Sequence, residues 1–330
     1  MIKSDRMSDI DVAKGVAILL VVTGHVVARD YRPSGNEWFM EFRSGLYYFH
    51  MSFFFYLAGY VFFTSKPDQY SLRLERAARR MIPAYLLVAV LAFIAKWILA
   101  PVVPVDRPIR SFWGDWIGLL LYPVSGFITF VWFIVALLLI YALMLLVSRL
   151  IPNRPWIWFA LAVCAHVASV TDQVTDLFAL QQVTRYWLIF MLGYYALDYR
   201  ASMLQWMRWS WPVWLLTLIV ALNALPREYL LTIPAILSIP ALHGLSLWIT
   251  EHTNYIRAGL TWLGEASWPI YLFNAFAIGA VKVIILKTFG WDGTRFLLAL
   301  PLLVIGGLML PVLAQRMLLA RFNWLNRVTR

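Results

Sequence analysis

The sequence predicts an all-α, polytopic integral membrane protein with about ten transmembrane helices and both termini in the cytoplasm. Of the 330 residues, 62% are hydrophobic and 14% are charged, whereas soluble domains have about 45–50% apolar and about 25% charged residues. Apolar runs of about 17–25 residues recur along the whole chain, and each run is long enough to cross about 30 Å of hydrocarbon as an α-helix. The placement of lysine and arginine then gives the orientation.

Ten segments are predicted to span the membrane, and together they form a single domain over residues 1–330. The first span is expected to be retained rather than removed as a signal peptide, because its apolar run is long and no small-residue cleavage site follows it. A further apolar segment, 112–123, is predicted as a re-entrant or interfacial helix. In chain order the ten spans are 12–28, 45–64, 82–100, 128–149, 156–171, 183–199, 211–225, 230–250, 264–286 and 296–315.

The net charge of +11 indicates topology rather than a nucleic-acid interface. Most lysines and arginines lie in the segments that face the cytoplasm if the N-terminus is inside, and cytoplasmic loops collect basic residues. Tryptophans and tyrosines near the ends of many spans fit the aromatic belts of a membrane protein. We therefore expect a multi-pass protein of the cell membrane, the inner membrane in a bacterium, with the lipid bilayer and no nucleic acid as a partner. The single Cys164 excludes an intrachain disulfide.

The first span carries three polar side chains along one stripe. Eleven residues separate Lys14 from His25, so at about 100° per residue the two lie within about 20° of one face and about 16 Å apart along the axis. Asp11 lies one turn before Lys14 on the same side. One interpretation is an i,i+3 ion pair at the interface, with His25 capping the outer end. The other is a functional site, because an ionisable group inside a span is costly.

The second span, LYYFHMSFFFYLAGYVFF, places His50 a turn or two below the predicted outer surface. We expect His50 to share a depth with His25, so that two imidazoles flank one cavity. The alternative is a structural histidine that bonds to a neighbouring helix, which is ordinary between spans. Gly59 in the same span is expected to permit a close contact between helices.

A basic cluster, SLRLERAARRMIPAY, follows on the predicted cytoplasmic side. On a helix, Arg76 and Arg79 point the same way and present two guanidinium groups that suit phosphate. The alternative is contact with anionic lipid at the inner surface. The cluster lies one hairpin away from Lys14 at the same surface, which favours a shared anion site.

Six motifs occur in order along the chain: DVAKGVAILLVVTGH with its Lys-x10-His spacing, FHMSFFFYLAGY, Arg76-x-x-Arg79 before IPAY, VWFIVALLLIY at 131–141, FMLGYY at 190–195 and LGEASWPIYLFN at 263–274. Together they resemble the integral-membrane acyltransferase family 3, and within it the short branch that is similar to fucose 4-O-acetylases and other sugar O-acetyltransferases. The resemblance covers the whole chain. It has three departures: Ser52 replaces a common proline, Asn274 stands where many members have histidine, and Arg73 with Arg76 would also fit the arginine pair.

The resemblance implies a ten-helix enzyme that takes an acetyl group from cytoplasmic acetyl-CoA, the acyl donor, and passes it to a hydroxyl of a cell-surface or lipid-linked carbohydrate. No metal is expected. The functional positions of the family fall on Lys14, His25 and the arginine pair of this chain. Our candidate catalytic residues are His25, Asp11 and His50, and our candidate donor-binding residues are Lys14, Arg76, Arg79 and Arg80.

Acyl transfer to an alcohol needs a base that works near neutral pH, and the unperturbed histidine pKa of about 6.5 suits that work. We expect His25 to draw the proton from the acceptor hydroxyl, and an acyl-histidine intermediate is the alternative route. A rival function is a transporter or flippase for a glycolipid or small solute, and a third is a membrane scaffold without catalysis. In a transporter the pathway would use Lys96, Lys282, Glu265 and His166.

Overall fold

The computed structural model describes residues 7–27, 32–100 and 107–329, and the regular elements in this part of the chain are helical. The α-helices are α1 Ser8–His25, α2 Glu37–Tyr47, α3 His50–Phe62, α4 Tyr70–Leu99, α5 Phe112–Leu121, α6 Trp132–Leu150, α7 Pro155–Val170, α8 Leu180–Asp198, α9 Arg200–Ala224, α10 Ile233–His252, α11 Asn254–Glu265, α12 Ser267–Thr288, α13 Arg295–Met317 and α14 Asn323–Thr329.

Five helical stretches among the described residues are long and apolar enough to cross a membrane, and they contain α4, α6, α10, α12 and α13. The other predicted spans coincide with helices that are shorter or more polar. One of these is α1, whose 18 residues include Asp9, Asp11 and Lys14. The structure confirms the all-helical class and supplies five candidate spans. The number of ten spans and the location of the termini stay predictions.

Four predicted spans differ from the observed helices. The second span divides into α2 and α3, because the backbone leaves the helical region at Phe49, where φ is −138°. The ninth span divides at Ala266 between α11 and α12. The third and the seventh begin earlier than predicted, because α4 continues through Pro83 and α9 continues through Pro212. Proline removes one backbone hydrogen bond, and membrane helices tolerate this loss. The last residue of the first predicted span, 28, lies outside the described residues.

Helix α5 and the turn after it fold back beside α4, and we call this segment the α5 hairpin. The ring of Phe93 on α4 packs against Phe112 at the start of α5, with centroids 5.3 Å apart. Near the other end of α5, the Tyr85 hydroxyl donates to the Leu119 carbonyl at 3.3 Å. The chain then returns, since Phe127 also contacts Phe93 at 5.7 Å. Ten residues give about 15 Å of helix, which is too short to cross the bilayer. Helix α5 is therefore too short to be a span, and its re-entrant or interfacial placement stays a prediction.

Helix α1 is the central helix of the bundle. It packs against α3, α10, α11, α12 and α13, and its residues are buried on nearly every side. It touches α11 backbone to backbone: a Cβ added at Gly15 would clash with the Leu260 carbonyl, and one added at Gly264 would clash with the Asp11 carbonyl. This contact fixes the position of α1 and of the polar side chains that it carries.

A buried polar network anchors the first turn of α1. Nδ1 of His243 lies 2.6 Å from the Tyr56 hydroxyl, and Nε2 of His243 lies 3.5 Å from the Asp9 carboxylate. Arg200 approaches the other oxygen of that carboxylate, also at 3.5 Å. The network joins α1, α3, α9 and α10, and a connected network of this kind favours one arrangement of helices. It escaped the sequence analysis because its members lie far apart in the chain.

Helices α3 and α8 cross in backbone contact at two glycines. A Cβ added at Gly59 would clash with the Phe190 carbonyl oxygen, and a Cβ added at Gly193 would clash with the backbone of Tyr56 and Tyr60. Small residues at a crossing let two membrane helices approach closely. The structure confirms the close contact that the sequence indicates at Gly59.

Replacing Gly193 with alanine is expected to destabilise the protein by about 1–3 kcal/mol, the usual cost of overpacking, because α8 must move away from α3. Thermal unfolding of the purified protein in detergent measures the change. Gly279→Ala on α12 is the matched control, since an added Cβ there meets nothing within 4 Å. Equal unfolding midpoints for the two variants would contradict the importance of this crossing.

Candidate functional site

A cavity of about 850 Å³ lies between α1, α3, α4, α12 and α13, and its size falls within the range of ligand pockets. Its lining follows α3 from Val61 to Met51, which is about 15 Å of helix. Charged side chains reach it from α1, α4, the end of α11 and the last turn of α13. We call this space the main cavity.

The first half of α1 supplies an ion pair to the main cavity. Nζ of Lys14 lies 3.4 Å from Oδ1 of Asp11, and about a third of the lysine side chain is exposed. Both residues line the cavity. The i,i+3 pair that the sequence indicates is therefore present, and it faces the cavity.

Two further cations line the main cavity, and each packs on a tryptophan. The Arg80 guanidinium lies 4.8 Å from the Trp268 ring centroid, and that of Arg316 lies 5.9 Å from the ring of Trp262. All four residues belong to the lining, together with Lys14. Arg316 was missed in the sequence, where it reads as an ordinary basic residue at the end of a span. A planar guanidinium beside an aromatic ring suits both phosphate and nucleobase recognition.

The other arginines of the basic cluster lie outside the main cavity. Arg76 and Arg79 are exposed on α4 and are absent from the lining. Arg79 instead pairs with Glu75 at 2.5 Å, and Arg73 donates to the Ser65 hydroxyl at 2.5 Å. Of the arginines predicted to bind the donor, Arg80 is therefore the one that the structure brings together with Lys14.

An aromatic wall closes the Met51 end of the main cavity. It contains Phe133 and Tyr271, and the Tyr271 hydroxyl donates to the Phe130 carbonyl at 2.6 Å. The Phe130 ring lies 6.3 Å from the imidazole of His25. The wall therefore separates the charged cavity from the histidine at the end of α1.

Asn274 on α12 holds the His25 ring. Its Oδ1 lies 2.8 Å from Nδ1 of His25, while its Nδ2 donates to the carbonyls of Ile270 and Tyr271, each at 2.9 Å. Because the amide nitrogen is occupied, the amide oxygen faces the imidazole, and Nδ1 must be the donor. Neutral His25 then carries its proton on Nδ1 and a lone pair on Nε2. The ring is half-buried, so the lone pair is placed to accept a proton.

His50 lies close to His25 but is more enclosed. Its side chain is buried, and its Nδ1 donates to the Leu46 carbonyl at 2.6 Å. The Tyr47 ring covers it edge-on, with centroids 4.9 Å apart. The two imidazoles are near enough to interact electrostatically. Neither histidine lines the main cavity, contrary to the expectation that both flank one cavity; His25 lies beyond its aromatic wall.

Arg43 on α2 is a cation beside the two histidines that the sequence did not single out. Its Nε donates to the Gly24 carbonyl at 3.0 Å, and its guanidinium lies 4.4 Å from the Tyr47 ring centroid. The same Tyr47 ring contacts the His50 imidazole, and Gly24 directly precedes His25 in the chain. Arg43 and Tyr47 are four residues apart, and this spacing could have indicated their contact on one face of a helix. The predicted second span begins at residue 45, so it separated the two residues and hid α2.

The residues that a transport pathway would use are dispersed, and three of them have structural partners. Lys96 donates to the Phe127 carbonyl at 2.7 Å. His166 lies 2.8 Å from the Thr232 hydroxyl, and Lys282 lies 4.6 Å from the Trp291 ring centroid. The fourth predicted pathway residue, Glu265, lines the main cavity. This arrangement gives no support to a single path through these side chains.

The match to one protein family agrees with this geometry. A family model described as an acyltransferase domain, that of acyltransferase family 3, matches residues 7–316. No curated protein and no solved structure gives a match. The matched residues include the main cavity's three cations and the His25–Asn274 pair. Because the match extends over most of the chain, the protein belongs to acyltransferase family 3 and is a membrane acyltransferase.

Proposed function

We propose that this protein is an O-acetyltransferase of the bacterial inner membrane, which moves an acetyl group from cytoplasmic acetyl-CoA to a hydroxyl of a cell-surface or lipid-linked carbohydrate. One observation carries the proposal. A cavity of about 850 Å³ with three cations in its lining adjoins, across one aromatic wall, a half-buried histidine whose proton is fixed on Nδ1 by Asn274.

The main cavity suits the acyl donor. Lys14, Arg80 and Arg316 would hold the phosphates of the nucleotide through charge-assisted hydrogen bonds, and Trp262 and Trp268 offer faces for its base. The pantetheine arm would follow α3 towards Met51, so that the thioester approaches the aromatic wall. Arg76 and Arg79, which the sequence also placed in this role, would act only from outside the cavity.

The chemistry would take place at His25. In the direct route, its Nε2 takes the proton of the acceptor hydroxyl while that oxygen attacks the thioester carbonyl carbon. The carbon–sulfur bond breaks, and the departing thiolate takes the proton back from the imidazolium, which leaves an ester and free CoA. The Arg43 guanidinium would stabilise the charge that develops on the carbonyl oxygen. In the two-step route the same imidazole carries the acetyl group.

The aromatic wall must open for either route. The hydrogen bond from Tyr271 to the Phe130 carbonyl keeps the thioester away from His25 until this segment moves. A closed wall would also keep water from hydrolysing the donor in the absence of an acceptor.

Thiol release tests the proposal. The purified protein in liposomes is supplied with acetyl-CoA and a glycan acceptor. Free thiol in excess of one equivalent per protein should appear only when both are present, and mass spectrometry should find the glycan heavier by one acetyl group. Movement of the glycan across the bilayer without thiol release would show a transporter or flippase instead.

Arg80 and Arg79 provide a matched test of the donor site. Replacing Arg80 with alanine is expected to raise the KM for acetyl-CoA by about 10–100-fold, because one hydrogen bond to a charged group contributes about 1.5–3 kcal/mol. Arg79→Ala on the same helix should stay within about twofold of wild type, since Arg79 lies outside the cavity and pairs with Glu75. Steady-state thiol release measures both constants. Equal KM values for the two variants would count against the main cavity as the donor site.

A further inference from the structure

A second cavity, of about 360 Å³, lies inside the α5 hairpin, between one face of α5 and the turn after it. Its lining includes Arg107 and Arg110 before the helix, Asp115 and Gly118 on the helix, and Ser125 in the turn. Its size falls within the range of small-molecule sites. We call it the α5 cavity.

The lining of the α5 cavity suits an anion. It contains two arginines and one carboxylate. The carboxylate is already engaged, because Oδ2 of Asp115 accepts the backbone N–H groups of Arg110 and Ser111 at 2.8 and 2.9 Å. Arg107 is held in place, since its NH1 donates to the carbonyls of Ser125 and Gly126. Each guanidinium has five donors in a planar fork that matches phosphate.

The opposite face of α5 is apolar and largely uncovered, although Phe112 also contacts Phe93 of α4. Phe112, Trp113, Ile117 and Leu120 are each more than half exposed. At about 100° per residue they occupy one side of the helix, and the cavity-lining Gly118 lies on the other. In a protein of this class such a face contacts lipid. The site that suits an anion therefore lies next to a lipid-contacting surface. A lipid with a phosphoryl group would need this arrangement.

The α5 cavity is joined to the His25 site by one short segment. Phe127 lines the cavity, and three residues later the Phe130 ring lies against the His25 imidazole. Lys96 holds this segment to α4 through the Phe127 carbonyl. Lys96 lies 16 residues beyond Arg80, or about 24 Å along α4. The α5 cavity is therefore far along α4 from the cation that marks the donor site.

We propose that the α5 cavity binds the phosphoryl group of a lipid-linked carbohydrate acceptor and so presents the glycan to His25. This assignment rests on the proposed function and narrows its acceptor to a glycan carried on a phosphorylated lipid. The two arginines bind the phosphoryl group, and the apolar face of α5 accompanies the lipid chain.

Filling the cavity tests the assignment. A Cβ added at Gly118 meets nothing within 4 Å, so Gly118→Leu places its side chain in the cavity without a backbone clash. The readout is the ratio of kcat/KM for a glycan on a polyisoprenyl phosphate to kcat/KM for the same glycan on an uncharged lipid. This ratio should fall about tenfold in Gly118→Leu and in Arg110→Gln. Gly279→Leu, a matched change at another open position, should leave the ratio at the wild-type value. An unchanged ratio in the first two variants would overturn the proposal.

Two further measurements separate the remaining outcomes. Phosphatidate in the liposomes and inorganic phosphate in the buffer should each fail to inhibit acetyl transfer at the concentration of the phosphorylated acceptor. Competitive inhibition by either would make the cavity a general phosphate or lipid site and overturn the acceptor assignment.

If the wild-type protein transfers no acetyl group at all, the proposed function fails, but native mass spectrometry still shows whether the α5 cavity binds the phosphorylated acceptor. Binding of the phosphorylated acceptor to wild type but not to Gly118→Leu supports the site, and equal binding refutes it.

Discussion

Replacing His25 with alanine is expected to lower the rate of acyl transfer by about 10²–10⁴-fold, the range that a positioned acid–base group contributes. Alanine can neither take the proton of the acceptor hydroxyl nor carry an acetyl group. The protein should still fold and insert, because the His25 side chain is half-buried at the end of α1 and the packing of that helix depends on its apolar residues. The initial rate of thiol release in liposomes, with saturating donor and acceptor, measures the loss.

Two other histidines show whether the loss is specific. His252→Ala removes an exposed imidazole that bonds to the Trp248 carbonyl, and it should keep the wild-type rate. His50→Ala should lose less activity than His25→Ala, because the His50 ring is buried and its Nδ1 is committed to the backbone. Wild-type turnover in His25→Ala, or a greater loss in His50→Ala, would remove His25 from the role of base.

The positions of most helices follow from the apolar runs, because helix formation and burial both respond to local composition. The breaks within two predicted spans do not follow. LYYFHMSFFFYLAGYVFF is predominantly apolar and contains no proline, so its hydropathy does not mark the turn at Phe49 between α2 and α3. Likewise, Pro83 reads as a helix start but lies inside α4. Hydropathy gives the existence of a helical region, whereas its division depends on the neighbours that pack against it.

The part of the site that lies on one helix was also predictable. Asp11, Lys14 and His25 share α1, so helical geometry alone sets their spacing. Asn274 and Arg316 come from α12 and α13. Only the tertiary fold brings Asn274 to His25 and Arg316 to the main cavity. The departure from the family pattern at Asn274 was the one available signal. The structure shows what the asparagine does in this chain, because its amide oxygen accepts from Nδ1 of His25.

Replacing Asn274 with leucine is expected to lower kcat by about 10–100-fold, in line with the loss of one buried hydrogen bond worth about 1–3 kcal/mol. Leucine is similar in size but offers no acceptor to Nδ1 of His25. Without this acceptor, the tautomer with the proton on Nδ1 is no longer favoured. The fraction of rings with a lone pair on Nε2 therefore falls. The KM for acetyl-CoA should stay unchanged, because Asn274 is absent from the main cavity. Steady-state thiol release separates kcat from KM.

Asn274→His provides the rescue, since an imidazole at this position can also accept a hydrogen bond and many relatives are expected to carry histidine here. It should retain most of the wild-type kcat. Asn223→Leu on α9 is the matched control, because this exposed asparagine bonds to the Ile219 carbonyl of its own helix. A structural role alone predicts a different pattern: Asn274→Leu would then lower the amount of folded protein and leave the kcat of the folded fraction intact. That pattern would show that Asn274 packs the bundle without orienting the base.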